Sequence, residues 1–87
     1  MNWKEFETWQ RWDEFPERID NPPMTVDFSF EYGGKKYFVA AINQEYQILD
    51  SNWNTIVSNT NFKELLLAPI WEGKSFKDVI EYIKFEI

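Results

Sequence analysis

The stretch Thr25-Val26-Asp27-Phe28-Ser29-Phe30-Glu31-Tyr32-Gly33-Gly34-Lys35-Lys36-Tyr37-Phe38-Val39-Ala40-Ala41-Ile42 carries the reading of the fold. Val26, Phe28, Phe30 and Tyr32 alternate with Thr25, Asp27, Ser29 and Glu31, the period of two expected of a strand buried on one face. Gly33-Gly34 then supplies two residues that accept positive φ without a Cβ clash, as a tight hairpin demands. Residues 36–42 return as a strand that is apolar on both faces, which predicts a central place in the sheet.

Downstream, Asn43-Gln44 turns the chain into a third strand over residues 45–49. Asp50-Ser51-Asn52-Trp53-Asn54 turns it again into a fourth over residues 55–58, because Asp, Ser and Asn stabilise turns through local side-chain hydrogen bonds. Asn61 followed by Glu64 resembles a capping box opening a short helix through Phe62, Leu65 and Leu66, which Pro69 ends. Ser75 with Asp78 caps a last helix, whose Phe76, Val79, Ile80 and Ile83 follow the i, i+3, i+4, i+7 rule for a core-facing stripe.

Upstream, Trp3, Phe6, Trp9 and Trp12 recur every third residue, so on a helix over residues 3–14 their rings sweep roughly 180° of the surface. Pro16 and Asn21-Pro22-Pro23 then impose a linker. The predicted architecture is a single small α+β domain over residues 1–87. A four-stranded antiparallel β-meander (25–58) follows an aromatic-rich N-terminal helix (1–15) and a linker (16–24). Two C-terminal helices (61–84) complete it, and all the helices are expected on one face of the sheet.

Composition narrows the functional classes. The chain has 87 residues, 17 of them aromatic, and a 44% hydrophobic fraction, which is ample for one core. A chain of this size buries roughly 60 to 65% of its unfolded surface. It contains neither Cys nor His, which removes disulfides, thiol nucleophiles, His-based triads and zinc sites needing imidazole or thiolate. Its fifteen carboxylates show no spacing that nominates an acid/base pair, so no catalytic residue, metal ligand or cofactor is expected, and the reading is non-enzymatic.

The net charge of −6 is uneven: residues 1–31 hold eight acids against three bases, and residues 32–87 seven against six. Acidity of this kind disfavours nucleic acid, and the consecutive pair Lys35-Lys36 reads as a solubilising hairpin end. Gly73-Lys74-Ser75 approaches a P-loop but has Ala68 where the first Gly is required and Glu72 beside the supposed phosphate. With charges near the N-terminus and no apolar run of about 18 residues, neither a secretory signal nor a membrane span is expected, which suggests a cytoplasmic protein.

The candidate binding residues are Trp3, Phe6, Trp9 and Trp12, with Asp13, Trp53 and Trp71. One aromatic ring buries about 150 to 250 Å², so the N-terminal rings exceed the usual contact stripe of a helix. Either they pack along the sheet against Phe28, Phe30 and Ile48, or some stay exposed among acids and anchor a partner protein or a second copy of the chain. Asp13 would point into the arc of Phe6 and Trp9 on an ideal helix, and into water if the helix frays earlier. Trp53 and Trp71 fall in loops, where an exposed ring would extend a binding surface. The expected function is a non-catalytic protein-interaction or regulatory module. The alternative is a small-ligand-binding protein with a Trp- and Tyr-lined pocket between sheet and helices.

Overall fold

The computed structural model describes residues 1–19 and 25–86. Strands β1 (Thr25–Tyr32), β2 (Lys35–Ile42), β3 (Glu45–Asp50) and β4 (Thr55–Asn59) form the expected antiparallel meander. Its first two turns are two-residue loops with positive φ at both positions, 61° and 78° at Gly33 and Gly34, and 53° and 65° at Asn43 and Gln44. That is the type I′ geometry whose twist matches the flanking strands. Register pairs Phe28 with Val39, Phe30 with Tyr37, Val39 with Ile48, Ala41 with Tyr46 and Ile48 with Val57. Paired residues share a face, so these side chains build one apolar surface.

Helix α1 (Trp3–Gln10) opens on a capping box in which Asn2 and Glu5 satisfy each other's backbone N–H groups. It stops four residues short of the expected end because Arg11 takes the left-handed conformation, with φ 58°. Arg11 then returns its own N–H to Glu7 and Thr8, and its carbonyl accepts from Phe15. Trp12 therefore reaches the core from the turn after the helix, facing Phe62 on α2 (Phe62–Leu66). A 3-10 turn, Pro16–Arg18, follows. The Tyr46 hydroxyl donates to the Arg18 carbonyl and the Phe62 N–H to the Ile19 carbonyl, so this stretch is tied to both β3 and α2. The rest of the predicted linker, residues 20–24, lies outside the described residues.

The sheet has five strands, which corrects the four-stranded expectation. Strand β5 (Lys84–Glu86) pairs antiparallel with β1, Phe85 opposite Phe30, and the order is β4-β3-β2-β1-β5. The helix expected to run on through Ile83 is a four-residue α3 (Phe76–Val79) closed by a 3-10 turn, Ile80–Tyr82. On one continuous helix Phe85 would lie about 180° from Phe76 and face water. Leaving the helix at Ile83, which is extended (φ −89°, ψ 137°), turns Phe85 inward, 6.0 Å from Phe76 and 5.8 Å from Phe28. It also pairs an edge of β1 that would otherwise be open.

Rings from all three helices meet on the Phe28/Phe30 side of the sheet. Phe6 of α1 is fully buried, with centroids 5.2–6.1 Å from those of Trp3, Trp9, Trp12, Phe28, Phe76 and Phe85. On the opposite face Phe38 pairs with buried Leu49, and Trp53 lies flat on Phe38 at 4.3 Å and 9°. Phe6→Ala is expected to cost about 3–5 kcal/mol, the range for emptying a buried aromatic site. Leu67→Ala, at a residue 49% exposed, should stay within about 0.5 kcal/mol. Equilibrium urea unfolding of both variants checks the contrast.

Acid sensitivity follows from two caps. Asp78 is held below the usual carboxylate range chiefly by the Ser75 backbone N–H, at 2.9 Å, and then by the Ser75 hydroxyl. Asp50 is lowered chiefly by the Asn54 backbone N–H, at 3.0 Å. A carboxylate whose pKa is depressed on folding stabilises the fold above its unfolded value, and that contribution fades as pH falls through the folded value. Stability should therefore drop as pH falls from the ordinary carboxylate range downward. Asp78→Asn and Asp50→Asn should each flatten that part of a pH series of urea midpoints.

Candidate functional site

The N-terminal rings pack against the domain's own sheet and helices. Phe6 and Trp12 are buried, 0% and 4% exposed, while Trp3 and Trp9 are half-buried against the same core. Trp9 lies 5.3 Å from Phe28 and 5.7 Å from Phe85. Lysines cover part of what remains: the Lys77 Nζ is 5.2 Å from the Trp3 ring and the Lys63 Nζ 5.1 Å from that of Trp12. Both contacts combine cation–π attraction with the packing of a lysine stem. Asp13 sits in the turn after α1 and is exposed. Trp12 Nε1 is buried without a hydrogen-bond partner among the described residues.

The other two tryptophans part company. Trp53, at the β3–β4 turn with φ 63°, is 55% exposed on the face opposite the helices. Trp71 is half-buried on the helix side, in the α2–α3 connector. There Trp71 and Lys74 exchange backbone hydrogen bonds of 3.0 Å in both directions. The two residues between them, Glu72 and Gly73, have φ 52° and 83°. The connector is thus a miniature type I′ hairpin standing beside the Gly33-Gly34 hairpin.

Between these two turns lies a cleft of about 360 Å³, lined by Tyr32, Gly33, Lys35, Tyr37, Ile70, Trp71, Glu72 and Lys74. Its aromatic wall is a continuation of the core. The Trp71 centroid is 5.0 Å from Tyr32, 5.5 Å from Tyr37 and 6.0 Å from Phe30, and Tyr37 stacks on Phe30 at 5.3 Å and 21°. Lys35 is the cross-strand partner of Tyr32 and therefore shares its face. Each hairpin contributes one lysine, and neither Lys35 nor Lys74 has an ion-pair partner within 4 Å among the described residues. Glu72 is the one carboxylate in the lining. A left-handed conformation costs a residue with a Cβ about 1–2 kcal/mol, and at Glu72 that strain sits in the wall of the cleft.

A second hollow of about 510 Å³ continues past Lys35 and Tyr37 toward Asp50, Ser51, Asn52 and Ile56. Its lining includes Tyr37 and Ile56, whereas the Trp71 side sets Tyr32, Ile70 and Trp71 beside Tyr37. Ser75, next to the cleft lysine in sequence, is occupied as the α3 cap by the Asp78 backbone N–H and carboxylate. Among the described residues no cluster of three or more acids is placed to hold a metal ion, and no helix is long and apolar enough to cross a membrane.

Of the candidates read from sequence, only Trp71 lines the cleft. Tyr32, Lys35, Tyr37, Glu72 and Lys74 were not nominated as binding residues. Lys35 read as a hairpin-end charge, Tyr32 and Tyr37 as strand positions, and Lys74 as part of a failed P-loop. The available signal was a repeated one: a tight-turn sequence beside a lysine, once at Gly33-Gly34-Lys35 and again at Glu72-Gly73-Lys74. No protein-family model, curated protein or solved structure matches the chain.

Proposed function

We propose that this protein is a non-catalytic small-ligand-binding protein whose site is the cleft between the Gly33-Gly34 and Glu72-Gly73 turns. The observation that carries the proposal is the wall of Tyr32, Tyr37 and Trp71 beside two lysines, Lys35 and Lys74, that have no ion-pair partner within 4 Å among the described residues, in a concavity of about 360 Å³. Pockets that bind small molecules run from about 300 to 1,000 Å³ and combine aromatic walls with a few polar groups. A chain without Cys or His also supports binding over catalysis, because the usual proton shuttle and thiol nucleophile are missing.

Intrinsic fluorescence tests this directly. Titration with small aromatic metabolites should change tryptophan emission in the natural protein and in Trp53→Phe, but not in Trp71→Phe. Tyr32→Ala should weaken the same ligand about two- to tenfold, the worth of one aromatic contact. Emission that stays flat across such a panel, or that responds through Trp53 instead, counts against the cleft.

A second reading, contact with a partner protein or a second copy of the chain, is favoured by Trp53, which is 55% exposed and lies flat on Phe38. Rigid, half-covered tryptophans are common anchors of protein interfaces. On this reading sedimentation gives a mass above that of one chain, and Trp53→Ala returns it to the monomer without lowering the urea midpoint. A monomer at every concentration removes the self-association form of the idea.

A further inference from the structure

Resting on the assignment of the cleft as the ligand site, we infer that its ligand is an anion carried on a flat unsaturated ring, with a carboxylate or phosphate group at the lysines. The argument begins with sign. The chain as a whole carries −6, yet the cleft lining holds two ammonium groups against one carboxylate, Glu72. Lys35 enters from the β1–β2 hairpin and Lys74 from the connector hairpin, so they approach the cleft from separate elements. Three other lysines lie over rings, Lys63 over Trp12, Lys77 over Trp3 and Lys36 over Phe38, whereas among the described residues Lys35 and Lys74 have no ion-pair partner within 4 Å, Lys74 interacting with the Asp78 carboxylate only at longer range.

Two ammonium groups at one concavity repel each other and favour an anion bound there. The apolar part of the ligand follows from the wall. Trp71 and Tyr32 are each half-buried, and so present ring surface that remains open after their mutual contact at 5.0 Å. A planar ring laid against them gains stacking or edge contact. Glu72 supplies the selectivity term, since its carboxylate at the rim opposes the bound anion and weakens it.

Calorimetric titration with matched pairs tests this on the intact chain: AMP against adenosine, and 4-hydroxyphenylacetate against 4-hydroxyphenylacetamide. The charged member of at least one pair should bind about fivefold or more tighter than its neutral partner, an advantage that shrinks in 0.5 M salt as screening shortens the reach of the lysines. Whichever pair shows the larger advantage identifies phosphate or carboxylate as the preferred group. Lys35→Ala and Lys74→Ala, both at exposed positions, should remove most of that advantage by weakening the charged member of a pair more than its neutral partner, and Glu72→Gln should tighten the anion several-fold. Equal binding of charged and neutral members overturns the anion inference and leaves the cleft assignment standing. No heat or amide shift from any of the four at millimolar concentration overturns both.

Discussion

The burial of Phe6 is the contact on which the rest of the domain depends. A single ring, wholly removed from water, touches the turn of α1 on either side of it, the centre of β1 through Phe28, the start of α3 through Phe76 and the closing strand through Phe85. The N-terminal helix, β1 and the C-terminal α3–β5 segment are far apart in sequence, and this ring touches all of them. Aromatic rings are large enough to bridge them, and their preference for edge and offset contacts sets how they meet. With neither disulfide nor metal to tie so short a chain, a dense ring cluster is the physical means left for holding one core together.

From that cluster the aromatic layer runs along the sheet through Phe30 and Tyr37 to Trp71, where it reaches solvent. The cleft is the end of the core left uncovered. The α2–α3 connector closes over Phe30 and Tyr32 with Trp71 and then reverses through its own tight turn, with Glu72 in a left-handed conformation, leaving Tyr32 half-buried and Lys35 exposed. Tight turns on both sides frame the cleft as a preformed concavity, a shape that would lower the ordering cost for the proposed ligand. The exposed Trp53 belongs to a different surface, on the far face of the sheet, and has no part in this arrangement.

The strands, their turns and two of the three caps were legible in the residues because each depends on local chemistry. Period-two alternation in β1, Gly33-Gly34, Asn43-Gln44 and the Ser75/Asp78 box act within a few positions. The fifth strand was not legible: three residues are too few to show a period, and Lys84–Glu86 is extended only because β1 offers it an edge and the core offers Phe85 a place. The end of α1 was hidden for a related reason, since Arg11 has no intrinsic preference for the left-handed cap it adopts.

The candidate residues divide in the same way. That the N-terminal rings form a broad apolar surface was a property of their spacing, and so was the absence of thiol and imidazole chemistry. Whether that surface is interior depended on the partners it meets, because the same amphipathic pattern serves a core or an interface and only packing chooses between them. The cleft is the stronger case. Tyr32, Lys35, Trp71 and Lys74 come from two turns nearly forty residues apart, and no periodicity or local motif encodes their proximity. Composition and spacing determined an acidic, aromatic α+β chain without Cys or His; the long-range register and the closing of the connector over Phe30 decided where its rings meet water.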